Sequence, residues 1–319
     1  MRASDIARLL TLAALWGSSY LFMRIAVPHV GAAWMVEGRT LAGGFAMAGF
    51  VLASRAPVQF AKFWRGFLVM GVVGIAIPFW LIGTALETID ASTAAILNAT
   101  APIFGAIVAA LWIGEKLTLE KTMGIGISIV GIAILVGWTP KPMSAGELVA
   151  CAFALVACAC YGYTAVYTKV KLKDAPPSAL SAGSCLVAAA AMAPFTPWSV
   201  AAGPVPWFAW ASLAVLGVFC TAIALILYYR LISDLGPVRG VMVTLLIPVF
   251  GIFWGVVFLG EPLTAGRLAG CATVLAGCAL ALGLVRLPLR GGDAKPTRAR
   301  NQPLPPAARR QPRRLVPLG

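Results

Sequence analysis

The sequence has little charge and almost no histidine. Asp, Glu, Lys and Arg make up 11% of its 319 residues, against about 25% in soluble globular proteins. The single histidine, His29, is not grouped with the seven cysteines, which argues against a zinc site. No Gly-x-x-x-x-Gly-Lys-Ser/Thr run is present, so direct use of ATP is not expected. We therefore predict neither a metal nor a cofactor.

Hydrophobic residues make up 60% of the chain and fall into runs of about twenty. Runs of this length are typical of helices that cross a bilayer. The sequence predicts an all-α polytopic membrane protein with ten transmembrane helices. The approximate spans are 9–27, 32–54, 66–86, 91–113, 122–138, 147–168, 178–198, 207–230, 239–259 and 267–286.

The basic residues indicate the orientation of the helices. If the N-terminus is cytoplasmic, 21 of the 25 Lys and Arg residues lie in inside loops or in the tail. This bias favours a multi-pass protein of the inner (plasma) membrane with both termini cytoplasmic. The tail, residues 287–319, is rich in Pro and Arg and is predicted to be disordered. We expect it to meet anionic lipid headgroups rather than nucleic acid.

One pattern occurs twice. Residues 102–105 (Pro-Ile-Phe-Gly) precede residues 114–118 (Gly-Glu-Lys-Leu-Thr), and residues 248–251 (Pro-Val-Phe-Gly) precede residues 260–264 (Gly-Glu-Pro-Leu-Thr). Every landmark is displaced by 146 positions, which indicates an internal duplication. Five helices in each copy would make the second copy enter the membrane in the opposite direction. We predict two inverted-topology repeats, residues 1–138 and 147–286, joined by an outer linker at 139–146.

A looser match links the first helix of each copy. Residues 15–19 read Leu-Trp-Gly-Ser-Ser, and residues 160–163 read Cys-Tyr-Gly-Tyr, with the aromatic-Gly pair displaced by 145. With these motifs, residues 8–286 resemble the ten-helix, EamA-type branch of the drug/metabolite transporter superfamily. The resemblance implies a secondary transporter, not an enzyme, that exports small metabolites such as amino acids. Inverted repeats are compatible with alternating access.

The repeated prolines suggest candidate sites. Pro102 and Pro248 each deprive the carbonyl four residues earlier of its helical partner, and those carbonyls belong to Asn98 and Thr244. Such groups are tolerated in a membrane where they are buried in protein or line a wet cavity. Both interpretations are open: Pro kinks used for helix packing, or two polar notches that face one substrate cavity.

The matched aromatics Trp16 and Tyr161 are predicted to contact substrate, by stacking or through a cationic amine. Trp80 and Tyr228 are weaker aromatic candidates. Ser19 is a possible hydrogen-bond donor to a carboxylate, although serine in a membrane helix often bonds its own backbone. Ordinary packing between helices is the alternative for the aromatics.

Glu37 and Arg39 are opposite charges within one apolar span. Charges in membrane helices usually face a bundle interior or a wet pathway. We predict that Arg39 binds an anionic group and that Glu37 couples transport to protons. The alternative is that both reach the outer interface.

Glu115 and Glu261, one in each repeated loop, are expected to cap the helix that follows or to bond nearby backbone amides. A gating role is the alternative. For the whole chain, a membrane-embedded enzyme acting on a lipid or a small molecule, and a channel, are alternative functions.

Overall fold

The computed structural model describes residues 3–137, 142–198, 204–235 and 237–285, and every regular element among them is a helix. The predicted disordered tail lies outside the described residues. The α-helices are α1 (Ala3–Ala53), α2 (Phe60–Gly71), α3 (Ile77–Ala85), α4 (Ala91–Asn98), α5 (Ala101–Ile113), α6 (Leu119–Gly137), α7 (Ala145–Lys171), α8 (Pro177–Met192), α9 (Trp207–Gly217), α10 (Ala224–Leu235), α11 (Pro237–Leu259) and α12 (Ala265–Ala281).

Seven helical stretches are long and apolar enough to cross a membrane, and two more, Val243–Leu259 and Ala265–Ala281, are apolar but shorter. The first of the seven is α1, which is divided at Gly31, where φ is 76°. Glycine reaches this backbone conformation at little steric cost. Within the described residues, all ten predicted apolar segments fall on helical residues, apart from a few at their ends and the turn at residues 99–100. The prediction of a polytopic all-helical protein is confirmed.

Two helices contain a wider turn at matched positions. A π-helical turn, Val72–Ala76, joins α2 to α3, and a second, Val218–Ile223, joins α9 to α10. Their first residues are 146 positions apart, the same displacement as in the repeated motifs. Such turns are rare and are frequently found at functional sites.

The matched helices α6 and α12 pack against each other in opposite directions. An ideal Cβ on Gly124 would lie 2.6 Å from the carbonyl oxygen of Gly277, and one on Gly131 would lie 2.6 Å from the nitrogen of Val274. Ser128 Oγ donates to the carbonyl of Val274, the residue at its own matched position, at 3.3 Å. Small residues allow this close approach of two backbones.

The repeated glycines close both loops in the same way. Gly114 ends α5 and Gly260 follows α11, and both have a φ of 65°. This left-handed conformation ends helices and is favourable for glycine. Between α6 and α7, the chain enters α7 through Ser144, which accepts from the nitrogen of Glu147 at 3.2 Å. In return, Glu147 accepts from the nitrogen of Ser144, so this helix start lies inside the predicted linker.

Candidate functional site

Arg39 is a buried cation in the middle of the bundle. Its side chain lies on α1 after Gly31, and the residue is only 4% exposed. Nε donates to Thr221 Oγ1 at 3.1 Å, and Nη1 contacts Met23 Sδ at 3.4 Å. The guanidinium carbon lies 3.9 Å from the ring centroid of Phe79, which is a cation–π geometry.

In the part of the chain that the structure describes, no carboxylate forms an ion pair with Arg39. Its contacts are a hydroxyl, a thioether and an aromatic face, all of them neutral. A buried charge is costly unless it is paired. The surroundings of Arg39 therefore favour the arrival of an anion.

One of the two π-helical turns helps to form the surroundings of Arg39. Thr221 lies in the turn Val218–Ile223, and its hydroxyl also donates to the carbonyl of Leu216 at 2.9 Å. Gly217 allows the close approach of α1, because a Cβ there would lie 2.7 Å from the carbonyl oxygen of Arg39. Gly71 is the residue matched to Gly217, and a Cβ there would lie 2.8 Å from the carbonyl oxygen of Ser184.

Because Gly217 contacts the backbone of Arg39 and the matched Gly71 contacts the backbone of Ser184, Arg39 and Ser184 occupy equivalent positions in the two halves. They are 145 positions apart. Ser184 is 2% exposed, and its hydroxyl has no hydrogen-bond partner among the described residues. The first half of the chain thus contributes a charge where the second contributes a neutral hydroxyl. The candidate site is asymmetric.

Three predicted residues lie in one polar cluster. Tyr20 lies close enough to Asn98, Tyr161 and Arg39 to interact with each of them electrostatically. Tyr161 is partly buried against the same apolar core. The structure thus brings Arg39, Asn98 and Tyr161 together, and their contact with a substrate stays a prediction.

Tyr20, Phe79 and Thr221 were not among the residues predicted from the sequence. A signal for Tyr20 was present, because it lies four residues after Trp16 and so shares its helix face. The neighbour Trp80 was selected instead of Phe79. Trp80 is 43% exposed, whereas Phe79 provides the ring beside Arg39. No local pattern distinguished Thr221.

A second pair of predicted residues packs next to this cluster. The rings of Trp16 and Tyr228 have centroids 5.2 Å apart and are tilted by 52°. Trp16 contacts both the central apolar core and a smaller apolar cluster that contains Leu12 and Val243. Packing accounts for both aromatics, and a role in substrate choice stays a prediction.

The other candidates have individual environments. Ser19 Oγ donates to the carbonyl of Leu15 at 3.5 Å, a long bond to its own helix. One carboxylate oxygen of Glu37 is buried without a hydrogen-bond partner among the described residues. Thr244 is partly buried on α11, one turn before Pro248.

The two prolines differ in their effect on the helix. The chain is broken at residues 99–100, so Pro102 lies in the first turn of α5, whereas Pro248 lies inside the continuous helix α11. At the break, the carbonyl of Leu97 accepts from Thr100 Oγ1 at 2.7 Å and from Cys158 Sγ at 3.4 Å. The carbonyl of Ala99 accepts from Cys278 Sγ at 3.1 Å. Side-chain hydroxyl and thiol groups thus satisfy the carbonyls at the break.

The repeated Pro-x-Phe-Gly motif is where each half contacts the other. An ideal Cβ on Gly17 would lie 2.6 Å from Phe250 Cβ, and one on Gly162 would lie 2.5 Å from the nitrogen of Gly105. The aromatic-Gly pair of each copy therefore packs against the Pro-x-Phe-Gly motif of the other copy. This reciprocal contact gives the matched glycines a structural reason.

The profile of the EamA-like transporter family matches this chain twice, over residues 6–137 and 148–283. The chain belongs to the EamA-like transporter family. It is therefore a multi-pass membrane protein of a transporter family, as the sequence motifs predicted.

Its relatives include uncharacterized transporters and a probable efflux pump. It is 24% identical to an uncharacterized transporter of Archaeoglobus fulgidus, over 65% of this chain and 74% of that one. It is 21% identical to a probable amino-acid metabolite efflux pump of Salmonella typhimurium, over 82% of this chain and 89% of that one. A solved crystal structure with 20% identity superposes with a TM-score of 0.63, covering 89% of this chain and 98% of that chain. This last similarity shows the fold alone.

Proposed function

We propose that this EamA-like protein is a secondary transporter that exports a small metabolite with an anionic group, such as an amino acid, by alternating access. The observation that carries the proposal is Arg39, a buried cation without a carboxylate partner in the described part of the chain. Its Nε and one Nη are held by Thr221 and Met23, so the charge has a fixed position. A substrate carboxylate would pair with it by a charge-assisted hydrogen bond.

The proposed architecture is ten transmembrane helices in two inverted repeats. Division of α1 at Gly31, together with the two shorter apolar helices, is consistent with ten crossings. The antiparallel packing of the matched helices α6 and α12 supports the inversion. The positions of the two repeated loops support it too. Glu261 contacts the nitrogen of Ala91 at the start of a 23-residue span, and Glu115 follows the end of that span. At 1.5 Å per residue, a span of this length covers roughly 35 Å, enough to cross a hydrocarbon core of about 30 Å.

The relative in Salmonella typhimurium, a probable amino-acid metabolite efflux pump, supports export and this class of substrate. The distribution of basic residues supports an inner-membrane location with both termini in the cytoplasm. The aromatic side chains of Tyr20 and Tyr161 beside Arg39 would contact the rest of the substrate.

The test is transport by the full chain in liposomes. A thermal-shift screen of amino acids and other small carboxylates identifies a ligand first, because binding to the folded state raises its apparent stability. Counterflow of that ligand is then compared in the parent, Arg39→Lys and Arg39→Met. We expect Arg39→Met to lose at least tenfold in uptake rate and Arg39→Lys to retain part of it, since Lys keeps the charge but not the forked geometry.

Two outcomes would contradict the proposal. Uptake by Arg39→Met at the parent rate would remove Arg39 from the site, provided that the inserted amount is equal. Chemical conversion of the ligand by the purified protein would favour an enzyme instead.

A further inference from the structure

The carboxylate of Glu261 holds the start of α4. Oε1 accepts from the nitrogen of Ala91 at 2.7 Å, and Oε2 accepts from the nitrogen of Ser92 at 3.0 Å and from the Ser92 hydroxyl. Glu261 is 7% exposed although it belongs to a loop. A carboxylate at a helix N-terminus is stabilised by the free N–H groups and by the helix dipole.

Three further residues complete this contact. Arg267, in the first turn of α12, forms an ion pair with Asp90 directly before α4, and its Nη1 lies 4.0 Å from Glu261 Oε2. Gly255 leaves space for the carboxylate, because a Cβ there would lie 2.5 Å from Glu261 Oε2. The group therefore ties the α11–α12 loop to α4.

The matched residue at the other end of the bundle is in a different environment. The side chain of Glu115 is 40% exposed and pairs with Lys121 at 2.9 Å and with Lys169 at 3.4 Å. Neither lysine is on the partner helix that the symmetry would require, which is α11.

The sequence does not provide for an equivalent contact at the Glu115 end. The residues matched to Asp90, Ala91 and Ser92 are Gly236, Pro237 and Val238. Glycine has no carboxylate, proline has no N–H and valine has no hydroxyl. The residue matched to Gly255 is Ala109, so a methyl group stands where the carboxylate would need space. All four substitutions remove the same contact.

We infer that Glu261, Ser92, Asp90 and Arg267 form a latch that holds one end of the bundle closed, and that the Glu115 end has no equivalent. The inference rests on the proposed alternating-access transport. The Glu261 end is held by a buried carboxylate with three hydrogen bonds, whereas the ion pairs Glu115–Lys169 and Arg8–Asp234, which also join the two halves, are between exposed side chains and contribute little. Without substrate, the resting protein is then biased towards the state in which the Glu261 end is shut. Opening of that end requires the three hydrogen bonds of the carboxylate to break.

Distances between two spin labels at the Glu261 end test the latch. Thr88→Cys lies on the exposed turn before α4, and Leu263→Cys lies on the exposed loop after α11. The full chain with both introduced cysteines is spin-labelled in lipid nanodiscs. The chain with only its seven native cysteines, all buried or partly buried, is treated in the same way as the blank. With both labels and no further substitution, we expect one short distance between the labels. In Glu261→Gln the ratio of the long to the short distance should rise on the order of tenfold, because hydrogen bonds to a charged acceptor are lost.

Glu115→Gln is the matched control, since it changes the same residue of the same motif at the opposite end. It should leave the distance distribution unchanged. Ser92→Ala, which removes one donor and keeps the packing, should give a smaller rise in the same direction. If Glu261→Gln does not fold, the distance distribution of Ser92→Ala takes its place in the test. Equal distributions in all variants, or an equal rise in Glu115→Gln, would overturn the latch. The measurement contains no substrate, so its result and that of the Arg39 transport test are independent.

Discussion

Substitution of Gly162 by alanine should destabilise the contact between α7 and α5. The added Cβ would lie 2.5 Å from the nitrogen of Gly105 and 2.6 Å from the carbonyl carbon of Phe104. Ordinary contact begins at 3.4 Å, so the two backbones would have to separate by about 0.9 Å. Neither atom belongs to a side chain that can rotate away.

The expected cost follows from two opposing contributions. Overpacking of a close contact costs about 1–3 kcal/mol, and rigid backbone neighbours place this site in the upper part of that range. Alanine is favoured over glycine within a helix by about 1 kcal/mol. We therefore expect a net loss of about 1–2 kcal/mol, which lowers the midpoint of thermal unfolding by a few degrees.

The matched control is Gly126→Ala on α6, where an added Cβ would have no atom within 4 Å. It should leave stability unchanged or slightly raised. Both variants are compared with the parent by thermal unfolding in the same detergent. Gly17→Ala, whose Cβ would lie 2.6 Å from Phe250 Cβ, should behave like Gly162→Ala. Equal stability of Gly162→Ala and Gly126→Ala would refute the close-contact argument.

Two further predictions concern the helix break and the exposed loop. Thr100→Val should lower the free energy of unfolding by about 1 kcal/mol, because the Leu97 carbonyl loses its 2.7 Å hydroxyl donor. The control Thr273→Val, in the unbroken helix α12, should lower it less in the same thermal unfolding experiment. An equal loss in both variants would contradict the role of Thr100 at the break. The hydrogen bond and charge of Lys121, with the charge of Lys169, lower the pKa of Glu115. Its contribution to stability is therefore present above the unfolded value of about 4.3 and is lost as pH falls through the folded pKa. The stability difference between the parent and Glu115→Gln, below about 1 kcal/mol for such exposed pairs, should vanish in acid, and a difference that is constant with pH would be inconsistent with this assignment.

The helices could be predicted from the sequence because lipid leaves the backbone few alternatives. In the hydrocarbon core every N–H and C=O must be satisfied within the protein, so an apolar run of about twenty residues forms a helix. Residues 91–113, for example, were predicted as one segment, and they lie in α4 and α5. The break between those helices was only partly predictable. Pro102 indicated a disturbed helix, but the donors Cys158 and Cys278 come from distant segments.

The candidate site was predictable where it depends on an unusual residue and not where it depends on helix crossings. Arg39 was identified because a charge in an apolar span is rare. Its partners Phe79 and Thr221 come from helices 40 and 182 residues away along the chain, and no local spacing relates them to it. Glu261 illustrates the same point: a cap on the following helix or a bond to nearby backbone amides was expected, but its partners, Ala91 and Ser92, precede it by about 170 residues.

Duplication explains why the two halves share a framework, and divergence explains why they do not share a mechanism at each end. The framework depends on glycines that both copies retain, such as Gly17 and Gly162, because a side chain there would separate the halves. The ends depend on polar groups that only one copy has. In the proposed alternating-access cycle, identical halves would give two closed states of equal energy, and neither would be preferred in the absence of substrate. The loss of Ser92's hydroxyl at position 238 and of Gly255's open space at position 109 removes that equality. The proposed latch at one end therefore depends on four matched positions at which the two copies differ.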